Sequence, residues 1–89
     1  MRIAREWNHN DIKVTVFVMN GRYSVKLEKA ILEQWYKFRD GQVDSLDTLV
    51  TVLDDRFYDK AESLFSEMAR NRADLIKPLE TSQGFDTII

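Results

Sequence analysis

Apolar residues fall at every second position through much of the first half of the chain, which is the period of a β-strand. In "IKVTVFVMNGRYSVKLEK" this alternation runs on both sides of Asn20-Gly21. That dipeptide tolerates positive φ at both positions and closes a two-residue hairpin. Val18 then lies opposite Tyr23, Val16 opposite Val25 and Val14 opposite Leu27, all on one face. The other face pairs Phe17 with Ser24, Thr15 with Lys26 and Lys13 with Glu28. A slip of one residue would turn the valine set into water, so the register is well specified.

Upstream, "RIAREW" also alternates. A short loop through "NHND" returns it beside the second strand, with Ile3 and Trp7 on the apolar face. Arg5 on that face is tolerable if its stem packs and its head escapes. Downstream, "ILEQWYKF" fits either period. Because the hairpin claims residues 22–28, a fourth strand is expected. A turn at Lys29 and Ala30 would place Leu32 opposite Leu27 and Glu33 opposite Lys26, restoring an opposite-charge pair.

After the loop "RDGQVDS" the period becomes helical. Leu46, Leu49, Val50 and Leu53 share a helix face behind Asp44 or Ser45 as N-cap. The β-branched run "TLVTVL" leaves a fifth strand as the alternative. A clearer helix carries Phe57, Ala61, Leu64, Phe65, Met68 and Leu75 as one stripe. Asp54 and Asp55 stand near its positive end, and Arg70, Arg72 and Lys77 near the other. Pro78 is expected to stop it at Lys77. The expectation is an α+β domain over residues 1–77: a four-stranded antiparallel meander (about 2–38) with two helices packed on its valine-rich face. Residues 78–89 follow as a tail, whose Phe85, Ile88 and Ile89 are candidates to dock on the sheet.

Length and composition support one domain. The chain has 89 residues with three glycines, one proline and no cysteine. Disulfide and thiolate chemistry are excluded. "MRIAREWNHN" has no apolar run suited to a signal peptide, and no segment approaches a membrane span. A cytoplasmic protein without membrane contact is expected. Thirteen basic residues against fifteen acidic give a net charge of −2, so global steering toward an anionic polymer is not expected.

No catalytic constellation emerges. His9 is the only histidine, and with Asp11 it supplies at most one corner of a metal site. It reads as a solvated turn residue. Asp44, Asp47, Asp54, Asp55 and Asp59 lack the spacing of a calcium loop, and caps and dipole partners account for most of them. Neither a nucleophilic-serine context nor a glycine-rich phosphate loop is present. No cofactor, metal or small-molecule ligand is implied, and the protein is expected not to be an enzyme.

The face opposite the valines is less ordinary. It presents Phe17, Met19, Ile31 and Trp35 among Arg2, Lys13, Arg22, Lys26, Lys37, Glu6, Glu28 and Glu33, with Phe17, Ser24 and Trp35 in one cross-strand row. Contiguous apolar residues on a face that should be solvated often mark an interface. Phe17, Met19, Trp35, Arg22, Lys26 and Lys37 are therefore the candidate interaction face. A protein partner or a second copy suits aromatic, methionine and arginine enrichment. Single-stranded nucleic acid, stacked on Phe17 and Trp35, is the alternative. The third reading is internal cover by the chain's own C-terminal residues.

"NGRYSVKLEKAILEQWYKFRDG" and the later "FSEM" resemble a group of small bacterial proteins of unknown function. The shared features are an Asn-Gly/aromatic turn, an LEQ-x-YK strand and an F-x-x-M helix, covering most of residues 1–70. The resemblance implies a single small α+β domain of bacterial origin and transfers no activity or site residue. The order of four strands then a helix also resembles the PUR and Whirly modules, which would imply single-strand binding by a sheet face. That likeness is one of element order alone.

Overall fold

The computed structural model describes the backbone of residues 1–88 and the side chains of residues 1–80. Strands β1 (Arg2–His9), β2 (Ile12–Met19), β3 (Arg22–Lys29) and β4 (Leu32–Lys37) precede helices α1 (Leu46–Val52) and α2 (Asp55–Ile88). The strands form one antiparallel sheet in the order β1-β2-β3-β4. The fold is α+β, a meander with both helices following it.

Each pair of strands is joined by two residues. Asn20 and Gly21 both take positive φ, at 53° and 77°. The β2–β3 register is the predicted one throughout, from Lys13–Glu28 to Met19–Arg22. The other two turns open on Asn10 (φ 55°) and Ala30 (φ 54°). "NHND" is thus a tight turn at Asn10-Asp11, and His9 belongs to β1. Rather than standing in solvent, His9 is half-buried and its ring stacks on Tyr58 with centroids 3.8 Å apart.

Two registers differ from expectation. A bulge between Ile3 and Arg5 shifts β1, so Ile3 lies opposite Phe17 and Arg2 opposite Val18. One inserted residue exchanges the faces of everything beyond it. Ile3 therefore leaves the apolar face, Arg2 leaves the open face, and Ala4 packs against the core. Trp7, opposite Val14, keeps its predicted side. The β3–β4 turn is at Ala30-Ile31, which pairs Lys29 with Leu32 and Leu27 with Gln34. This is two residues from the expected register. A shift of two leaves every side chain on its predicted face, so hydrophobic patterning cannot detect it.

Ile12, Val14, Val16, Val25 and Leu27 from the sheet meet Leu49 of α1 and Tyr58, Ala61 and Phe65 of α2 in the core. Residues 46–52 are helix, not strand. The Ser45 hydroxyl accepts the Thr48 N–H at 3.2 Å, capping α1. Asp54 Oδ1 accepts the Phe57 N–H at 2.9 Å at the start of α2. The Arg5 head escapes the core face toward Asp47, 3.6 Å away. Gln34 is buried as the polar link between layers. Its Nε2 donates to the Ala61 carbonyl at 3.0 Å, and its Oε1 accepts the Tyr36 hydroxyl at 2.7 Å. Lys29 and Glu62, at 2.7 Å, tie the end of β3 to α2.

Beyond Met68 the helix outgrows its support. From Ala69 to Glu80 only Ile76 is even half-buried, and Leu75, expected in the core stripe, is 61% exposed. Pro78 does not end α2, which continues through it. The proline removes one backbone donor, and on an exposed stretch water can take the orphaned carbonyl. Thirty-four residues at about 1.5 Å rise span roughly 50 Å, which accounts for most of the molecule's 57 Å length.

Candidate interaction face

With both helices on the valine side, the opposite face of the sheet is open. Strand pairing orders it into rows. Ile3, Phe17, Ser24 and Lys37 form one row; Glu6, Thr15, Lys26 and Trp35 the next; Asn8, Lys13, Glu28 and Glu33 a third. Met19 and Arg22 extend it at the Asn20-Gly21 end. Ile31 sits in the turn at the other end.

Trp35 is not in the row of Phe17, because the β3–β4 register places it opposite Lys26. The two rings meet diagonally instead, above β3, with centroids 5.5 Å apart and planes 15° from parallel. The small side chain of Ser24, opposite Phe17, leaves room for this. Lys26 Nζ lies 5.5 Å from each centroid, a cation held over both rings. Each ring thus has one face occupied by the other.

The charges on this face are largely paired. Lys13 is 3.4 Å from Glu6, Lys26 is 3.1 Å from Glu28, and Arg22 is 2.9 Å from Asp40 in the loop after β4. Glu28 and Glu33 are directly opposite, a repulsive arrangement. Lys26 relieves it on one side, and the Trp35 indole N–H, donating to Glu33 Oε1 at 2.9 Å, on the other. Among the described residues Lys37 makes no ion pair.

Apolar side chains stand around this charged lattice. Ile3 is 53% exposed, Met19 51%, Trp35 42% and Ile31 68%. Beside them, a cleft of about 290 Å³ opens at the Asn20-Gly21 end. Phe17, Met19 and Phe38 wall it, Arg22 and Lys37 line it, and no carboxylate does. Of the six predicted face residues, Phe17, Trp35 and Lys26 form one cluster, while Met19, Arg22 and Lys37 meet Phe17 again at the cleft. The missed member is Ile3, which only the β1 bulge brings here. Cover by Phe85, Ile88 and Ile89 concerns side chains outside the described residues.

On the helical side, burial raises the Tyr36 hydroxyl pKa above its ordinary value. Burial also raises that of Tyr58, partly offset by a hydrogen bond from the Trp7 indole. Lys29 is raised by its hydrogen bond to Glu62. These groups join sheet to helix: Lys29 reaches Glu62, the Tyr36 ring packs on Phe57 and the Tyr58 ring on His9. Among the described residues no group of three or more histidines and carboxylates could hold a metal, and no helix is long and apolar enough to cross a membrane.

Comparison of the chain with protein-family models, with curated protein sequences and with solved structures gives no match. The class defined by fold and site is accordingly a small α+β domain with an open, partly apolar sheet face.

Proposed function

We propose that the protein is a non-enzymatic interaction module that docks another polypeptide on its open sheet face. The observation that carries this reading is the apolar rim of Ile3, Met19 and Trp35, exposed around charges that are already paired. Such a surface offers burial without stranding an ion. Desolvating a paired, hydrogen-bonded charge costs far less than desolvating a lone one, and methionine and aromatic side chains are favoured at interface cores.

Single-stranded nucleic acid is the second reading, favoured by the carboxylate-free cleft with Arg22 and Lys37 beside Phe17. The Phe17–Trp35 stack counts against it, since bases need free ring faces. The pairing of Lys13 and Lys26 with glutamates also leaves few cations for phosphates.

A Phe17→Ser, Met19→Ser double variant tests the first reading without touching the sheet edge. Polypeptides retained by the immobilised wild type from the source cell should be lost from this variant, while its circular dichroism is unchanged. Identical retention by both proteins refutes docking on the face. Oligonucleotide titration at low salt checks the second: tryptophan quenching that fades steeply with salt would support it, and no quenching ends it.

A further inference from the structure

The two edges of the sheet differ. Edge strands expose unpaired backbone groups and recruit other strands unless something blunts them. The β1 edge carries a bulge and two arginines, Arg2 and Arg5. By contrast, the register of β4 is uninterrupted, and the strand contains no proline or glycine. It pairs only with β3, and the loop that follows it is drawn inward by the Arg22–Asp40 contact at 2.9 Å.

The direction of the free groups is set by one bond. The Phe38 N–H donates to the Tyr23 carbonyl at 3.2 Å, so Phe38 faces β3. Alternation then turns Tyr36, Gln34 and Leu32 toward β3 as well, and Lys37, Trp35 and Glu33 outward. All three outward residues are exposed.

We propose that β4 pairs antiparallel with β4 of a second copy, about a two-fold axis through Trp35, making one continuous eight-stranded sheet. An isologous contact must complement itself, and "EQWYK" does so about its tryptophan. Glu33 of each copy meets Lys37 of the other. Those pairs and Trp35 opposite Trp35 each exchange two N–H···O bonds, roughly six in all. On the core side, Leu32 falls opposite Phe38 and Gln34 opposite Tyr36. A register two residues either way loses both Glu33–Lys37 pairs. The surface is the edge of the sheet, so the inference goes beyond docking on its face and leaves that face open and doubled in width.

Charge exchange tests the register. Sedimentation equilibrium of the wild type should show a dimer. Lys37→Glu alone and Glu33→Lys alone should each weaken it by roughly tenfold or more, since two attractive pairs become two repulsive ones. An equimolar mixture of the two variants should recover a heterodimer, because every cross pair is again opposite in sign. Circular dichroism verifies that both variants fold. In the wild type, exchange of the Glu33, Trp35 and Lys37 amides should slow as concentration rises. A wild type that stays monomeric to roughly millimolar concentration overturns the proposal. So does a dimer indifferent to both reversals, or single variants whose mixture does not recover. A dimer broken instead by the Phe17→Ser, Met19→Ser variant overturns edge pairing while sparing the reading of the face; polypeptide retention unchanged in that variant, beside a dimer that follows the charge reversals, overturns the reading of the face and spares edge pairing.

Discussion

Thr15 occupies the middle of the open face, between Glu6 and Lys26 in its row, yet it is only 2% exposed and its hydroxyl has no hydrogen-bond partner. A desolvated, unpartnered hydroxyl costs about 1–3 kcal/mol, and replacing it with an apolar group of the same shape removes that cost. Valine is such a group, and it retains the β-branch that suits a strand. Thr15→Val should therefore stabilise the fold by about 1 kcal/mol, the low end of the range, because the neighbouring lysine heads can move toward the hydroxyl. For 89 residues the unfolding entropy is about 190 cal/mol/K, so Tm should rise by roughly 5 °C. Thr15→Ser is the matched control: it keeps the hydroxyl, loses a buried methyl and should cost about 0.8 kcal/mol. Urea and thermal unfolding at one dilute concentration measure both without a contribution from association. The urea m-value should be unchanged, since the same surface is exposed. A valine variant no more stable than wild type would show that the hydroxyl is satisfied in solution, and the reading of Thr15 as a desolvated, unpartnered group would fail.

Ala30 holds φ 54° in the β3–β4 turn, a conformation that costs a non-glycine residue roughly 1–2 kcal/mol. Ala30→Gly should gain about 0.5–1 kcal/mol after glycine's own entropy cost, read as a higher urea midpoint; a loss would contradict the strain. Ser45→Ala removes the α1 cap and should cost about 1 kcal/mol, with faster amide exchange in α1 and little change in α2. Tyr36, Tyr58 and Lys29 all have raised pKa values in the fold, the tyrosines through burial and Lys29 through Glu62. Their contribution is complete below the ordinary values of 10.0 and 10.5 and is lost as pH rises through the folded ones. Stability should be level through neutrality and fall above about pH 10. Tyr36→Phe should make that fall shallower, and an unchanged slope would sink the assignment.

The sequence by itself determined which residues face together in the central hairpin. Asn20-Gly21 dictates the turn, the valines dictate the buried side, and no second register satisfies both. It also determined the helical period of α2 and placed Phe17 and Trp35 on the open face, while residues 46–52 stayed open between helix and strand until the structure showed α1. Those features follow from interactions between near neighbours in the chain. Tertiary structure alone decided the rest. The β1 bulge, which moves Ile3 to the open face and Arg2 to the helical side of the sheet, depends on how an edge strand fits the twist of its neighbour. The β3–β4 register differs from the expected one by an even number, to which face patterning is blind, and the Gln34 contact with α2 favours the register observed. Leu75 stays outside the core because α2 outruns the sheet before that point, a limit that helical periodicity does not contain. His9, ordinary in its turn-forming context, became a packing residue only when α2 brought Tyr58 against it.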